Sequence, residues 1–262
     1  MLSILGIPLD ENSSFLRGPA KAPPLIMDAF HSDASNMFAE NGVNCSNPEK
    51  FTNLGDMQFA TGKTAMDSIR KTVHKELDRG QKVVSLGGDH SITFPIIQSY
   101  SQKYSDLNIL HIDAHPDLYH DFENNPFSHA SPFARIMENG LVKRLVQVGI
   151  RTLNDHQKEQ VKRFGVEVIE MKDFDPTVSL QFDGPVYISI DMDALDPAYA
   201  PGVSHLEPGG LSTRDVINVI HQMNGNVVGA DIVEYNPNRD INNMTAMVGA
   251  KLLKELIGKI LG

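Results

Sequence analysis

Apolar residues fall along the chain in short, nearly continuous runs separated by stretches of helical length. Seven runs read as strands: Leu2–Ile7, Lys82–Leu86, Leu107–Ile112, Arg144–Ile150, Val166–Glu170, Val186–Ile190 and Val227–Val233, with Phe51–Leu54 as a weaker eighth. Runs this uniform in Val, Ile and Leu suit strands buried on both faces. Three intervening segments carry a helical period. Gly62–Arg79 steps through Ile69, Val73 and Leu77 and stops at Gly80. Leu211–Met223 opens with Ser212 or Thr213 as a cap and Asp215 in its first turn. Thr245–Ile260 bears an apolar stripe of Met247, Leu252, Leu253, Leu256 and Ile260. Strand–helix alternation of this kind predicts βαβ units, an α/β fold with a mainly parallel sheet and helices on both faces. No linker, repeat or low-complexity stretch divides it, so 1–262 reads as one domain.

Composition narrows the partners. Against 23 Lys and Arg stand 33 Asp and Glu, a net charge of −10. That balance argues against a phosphate-neutralising surface and so against nucleic acid. With 41% hydrophobic residues the chain can bury a full core. The single cysteine, Cys45, cannot form an internal disulfide. No apolar run approaches the ~18 residues of a membrane span, so no membrane is expected as a partner. The first residues, MLSILGIPLDENSSFLRG, lack a basic segment. The expectation is therefore a protein of the cytoplasm without a secretory signal.

Candidate chemistry concentrates directly after three strands. Lys82–Leu86 runs into Gly87-Gly88-Asp89-His90-Ser91, Leu107–Ile112 into Asp113-Ala114-His115-Pro116-Asp117, and Val186–Ile190 into Asp191-Met192-Asp193-Ala194-Leu195-Asp196-Pro197. In extended backbone residues two apart share a face, which would align Asp113 with His115, and Asp191 with Asp193. Asp117 joins them if the extension continues past Pro116. A parallel sheet brings its strands' carboxyl ends to one edge, where α/β proteins bind ligands. Four or five carboxylates and two imidazoles gathered there repel one another unless cations sit among them. Mostly hard oxygen donors, two histidines and no thiolate point to manganese first, with zinc, cobalt, nickel and iron open.

Other features read as ordinary structure. Thr61-Gly62-Lys63-Thr64 lacks the first glycine of a phosphate loop, since Met57 stands there. Gly87-Gly88 is read as letting the backbone turn closely beside His90. His111, inside an apolar strand, reads as a packed core histidine. Asn12-Ser13-Ser14 matches a glycosylation sequon by chance.

The three motifs resemble the signatures of the ureohydrolase superfamily, which contains arginases, agmatinases, formiminoglutamases and guanidino-acid hydrolases. The likeness runs from Gly6-Ile7-Pro8 to Glu234-Tyr235-Asn236-Pro237 and the final helix. Phe127-Ser128-His129-Ala130-Ser131 and Pro201-Gly202-Val203-Ser204-His205 are similar to plant-type arginases, which group with the agmatinases. The resemblance implies a three-layer α/β/α sandwich around an eight-stranded sheet, a single catalytic domain, and a homotrimer or homohexamer. It implies two Mn²⁺ per chain. His90, Asp113, Asp117 and Asp191 would hold one; His115, Asp113, Asp191 and Asp193 would hold the other, with Asp113 and Asp191 bridging.

It further implies attack by a metal-bridging hydroxide on the guanidino carbon of a small cationic substrate. Asp117 would orient the hydroxide, His129 would shuttle protons, and Glu234 would accept the substrate's N–H fork. The expected reaction is L-arginine to L-ornithine plus urea. The alternative is agmatine to putrescine plus urea, and then another guanidino or formimino compound. Leu118–Ser128 is expected to contact the substrate's far end through His120, Asp121, Asn124 or Asn125. Two rivals stand beside this reading. A deacetylase with one zinc would leave His90, Asp117 and Asp193 surplus, and a metal-stabilised scaffold would not need His129 and Glu234.

Overall fold

The computed structural model describes residues 1–59 and 64–262. Eight strands form one sheet: β1 (Leu2–Gly6), β2 (Phe51–Asp56), β3 (Lys82–Leu86), β4 (Asn108–Ile112), β5 (Arg144–Ile150), β6 (Glu167–Glu170), β7 (Gln181–Asp191) and β8 (Asn224–Val233). Their order is β2-β1-β3-β8-β7-β4-β5-β6, and every pairing is parallel. A parallel neighbour demands a crossover, and helices supply it on both faces. On one face α1 (Ala22–Phe30), α6 (Thr213–Gln222) and α7 (Met244–Leu261) close a core with Ile26, Ile217 and Leu253. On the other, α2 (Thr64–Asp78), α3 (Thr93–Lys103), α4 (Pro132–Glu138) and α5 (Asp155–Phe164) close a second core with Ile69, Ile97 and Phe133. This is the expected three-layer α/β/α sandwich. Among the described residues no helix is long and apolar enough to cross a membrane.

The central strands β3, β4, β7 and β8 carry the fully buried runs, which is why their apolar patterns were continuous. Sequence periodicity missed the early start of β7 and β8. Gln181 pairs with Asn224 across a register shift, in an extension where the buried Phe182 stands alone between exposed positions and makes no apolar run. The predicted start of α2 at Gly62 and the Thr61–Thr64 motif involve residues 60–63, outside the described residues. Four helices had no prediction. Two of them, α1 and α4, open on prolines, which suit a first helical turn but break the apolar period. For α5 a signal existed: the Asn154 side chain accepts from Gln157 N, and Gly165 closes the helix at φ 65°.

Candidate active site

The three motif strands β3, β4 and β7 end at one edge of the sheet, with β8 between β3 and β7. The backbone there is less regular than the two-residue alternation assumes. After β3 the chain turns at Gly88 (φ 86°), where a Cβ would lie 2.6 Å from Leu9 O and 2.7 Å from Ile7 O. Only glycine passes there, and Asp89 then caps a short 3-10 turn beginning at His90. After β4 the extension does not continue past Pro116. Asp117 instead returns to the site from a left-handed conformation, φ 49°. Asp191 ends β7, and a 3-10 turn brings Asp193 beside it, with Asp193 N donating to Asp191 Oδ1 at 2.8 Å. Turns, not extended strands, therefore bring these carboxylates together. Glu234, just past β8, is also left-handed at φ 64°. Such backbone in a non-glycine residue costs energy and concentrates at functional sites.

All six predicted ligand residues converge. His90 Nδ1 lies 3.2 Å from Asp113 Oδ2, 3.1 Å from Asp117 Oδ2 and 3.1 Å from Asp191 Oδ2. His115 Nδ1 lies 3.5 Å from Asp113 Oδ1 and 3.1 Å from Asp193 Oδ2. Asp113 thus faces His90 with one oxygen and His115 with the other. Donor atoms of Asp113, His115 and Asp193 lie within 4.8 Å of one another, as do those of His90, His111 and Asp113.

Electrostatics show what the cluster lacks. Burial alone would lower the pKa of His90, but Asp113, Asp117 and Asp191 together push it well above its ordinary value. The pKa of Asp191 is driven well up by burial and by Asp193 and Asp113. That of Asp117 is pushed up to about 6 by burial and Asp113. Without metal, protons on the imidazoles serve as counter-charge; divalent cations would displace them and satisfy the same oxygens. The donor set fits hard divalent cations.

Buried outer residues fix the ligands' orientation. His90 Nε2 donates to Ser189 Oγ (3.0 Å), whose hydroxyl donates to Asp231 Oδ1 (2.6 Å), leaving Nδ1 aimed at the cluster. His111 is buried, as expected, but it is not mere packing. Its Nε2 lies 2.7 Å from Asp113 Oδ2, and its Nδ1 lies 3.0 Å from the Gln147 amide nitrogen. Burial pushes its pKa down to about 4, so the ring stays neutral. The amide donates to Nδ1, so the ring proton sits on Nε2 and holds Asp113 in place.

Beside the cluster, His129 Nδ1 lies 2.8 Å from Glu234 Oε1, which also accepts from His90 N at 2.8 Å. His129 Nε2 accepts from Ser14 N at 3.1 Å and lies 2.8 Å from Ser14 Oγ. Burial would lower the pKa of His129, but Glu234 outweighs it and pushes the value up to about 9. The Ser14 hydroxyl suits either protonation state, donating to a bare Nε2 and accepting from a protonated one. Sequence reasoning missed Ser14. Asp89 holds its loop, accepting from Asn12 N (3.0 Å) and Ser13 Oγ (3.3 Å). No local motif encodes a contact between residues 115 apart in the chain.

His115, Asp117, Asp191, Asp193, His129, Ser14 and Glu234 line a cavity of about 210 Å³. That is smaller than the roughly 300–1,000 Å³ of drug-sized ligand sites and suits a small molecule. From the 118–128 loop, Tyr119 and Phe122 line it; His120, Asp121, Asn124 and Asn125 do not. The loop turns through left-handed Glu123 and Asn124, His120 pairs with Glu138 at 3.1 Å, and Asn125 is held by Asn12 at 3.2 Å.

The sequence model described as "Arginase family" matches residues 1–258. "Arginase 1, mitochondrial" of Arabidopsis thaliana is 48% identical over 275 residues, covering 98% of this chain and 80% of the relative. The solved "Arginase from Medicago truncatula" superposes with a TM-score of 0.94 at 47% identity, covering 98% of this chain and 86% of the other. At 31% identity stands the "Agmatinase" of Bacillus anthracis, with 97% of this chain and 90% of the relative covered.

Proposed function

The chain belongs to the arginase family of ureohydrolases, and on that premise we propose that it cleaves L-arginine to L-ornithine and urea with two Mn²⁺. One catalytic domain, 1–262, carries the reaction. The observation that carries this reading is the convergence of His90, Asp113, His115, Asp117, Asp191 and Asp193 into one cluster, of which His115, Asp117, Asp191 and Asp193 line one small cavity together with His129 and Glu234. Arginine is preferred over agmatine because the plant arginase stands at 48% identity and the bacterial agmatinase at 31%.

His90, Asp113, Asp117 and Asp191 would hold one ion, and His115, Asp113, Asp191 and Asp193 the other. When bound, the pair supplies Lewis acidity and makes water nucleophilic at neutral pH. A guanidinium is a poor electrophile that stays charged to a pKa above ~12, so its placement matters as much as its activation. Glu234 Oε1 is occupied by His90 N and His129, while Oε2 has no partner among the described residues and is free to accept the substrate's N–H. Asp117 would take the proton released as water adds to the guanidino carbon and pass it to the leaving nitrogen. His129 exchanges protons with solvent through Nε2 and Ser14.

The test is urea release from Mn²⁺-loaded protein given L-arginine and agmatine at matched concentrations. We expect arginine to be hydrolysed faster; faster release from agmatine would replace the substrate and keep the site. A second expectation concerns His111. His111→Leu keeps the volume but removes the N–H that holds Asp113, and Mn²⁺ titration of stripped protein should show affinity about 10- to 100-fold weaker. Unchanged affinity would mean Asp113 is held without it.

The assembly belongs to the same proposal: a homotrimer or homohexamer, to be read by light scattering. Its place is proposed as the cytoplasm. The names of the Arabidopsis and Medicago relatives assign those proteins to mitochondria, and fractionation decides for this chain.

A further inference from the structure

A second, outer cavity of about 530 Å³ shares His115 and His205 with the inner one and adds Phe15, Glu207 and Arg239. The two cavities meet at His205. Its ring centroid lies 5.6 Å from that of His115, 5.5 Å from His129 and 5.5 Å from Phe15. Neither ring nitrogen has a hydrogen-bond partner among the described residues. Its imidazole therefore has an N–H to offer a ligand. Arg239 is exposed and has no ion pair among the described residues.

The two spaces differ in charge: carboxylates wall the inner one, whereas the outer one is lined by both Arg239 and Glu207. Asp117, Asp191, Asp193 and Glu234 wall the inner cavity, which has neither Lys nor Arg in its lining. Thr152, which also lines it, already spends its hydroxyl on Ala114 O at 3.0 Å. The unpaired guanidinium of Arg239 lies in the outer cavity only. In a chain of net charge −10, an unpaired guanidinium lining the same cavity as an uncommitted imidazole N–H is a place to hold an anion. A substrate with a guanidinium at one end and a carboxylate at the other matches both spaces at once.

We propose that His205 and Arg239 hold the substrate's carboxylate, and so select an amino acid over the amine that lacks it. The proposal rests on the reading of L-arginine as substrate. It is tested in metal-loaded protein with His205→Asn and Arg239→Gln. Each variant is assayed for its KM for L-arginine and for its agmatine constant, taken as a KM or as a Ki against arginine turnover. Each should raise the arginine KM about tenfold, the scale of a lost hydrogen bond to a charged group, and shift the agmatine constant much less. Parallel shifts for both compounds, or no shift, overturn the proposal. So does loss of bound metal in both variants, which would make the two residues supports of His115. Preference of the unmodified protein for agmatine is a separate failure, that of the substrate reading, and is visible before any variant is made.

Discussion

Asp113→Asn is expected to strip the protein of bound metal and to lower urea release by at least about 10³-fold, because water then loses the pKa depression from about 15.7 towards 7 that metal provides. The position tolerates no substitute for a carboxylate. Oδ2 accepts from His111 Nε2 at 2.7 Å and faces His90 Nδ1, while Oδ1 accepts from His115 N at 2.6 Å. An amide there removes the negative charge and turns an NH₂ group towards one of these N–H donors, leaving two donors opposed in a dry interior. Elemental analysis beside a urea assay checks both halves. Full metal content in this variant would refute Asp113 as the ligand common to both ions.

Glu234→Gln should separate the two losses that Asp113→Asn joins. It is expected to retain both metals and still lose about 10²- to 10³-fold in turnover, the scale of deleting one group aimed at developing charge. Gln keeps the size of Glu, and its amide oxygen still accepts from His90 N and His129 Nδ1, so the backbone at φ 64° need not move. What disappears is the charge that meets the substrate's guanidinium and lifts the pKa of His129 to about 9. Turnover that survives with metals in place would remove Glu234 from the proposed machinery. It would also revive the idea of a metal-stabilised scaffold.

The readable part of the site was the part carried by local pattern. His90, Asp113, His115, Asp191 and Asp193 each stand within a few residues of an apolar strand's end. A parallel sheet puts those ends at one edge whatever the order of its strands. Pattern misled where backbone leaves regular geometry: Asp117 arrives by a left-handed turn, and Asp193 by a 3-10 turn. It also misjudged His111, because an apolar strand says that a side chain is buried but not what it bonds to. The four polar residues picked from the 118–128 loop failed for a related reason. Polar side chains in a loop satisfy one another or solvent as readily as they face a ligand, and here the aromatic Tyr119 and Phe122 turn inward.

By itself the sequence determined the fold class and the chemistry of the donors, since strand period, two-sided burial and the hardness of carboxylate and imidazole ligands are local properties of residue type. Only the tertiary structure decided that Ser14 would meet His129, that one Glu234 oxygen would serve both His90 and His129, and that His205 would stand between the two cavities. Those contacts join segments more than a hundred residues apart, or loops whose course depends on what they pack against. No short-range pattern specifies them; they follow from burying two apolar faces of one twisted sheet at once.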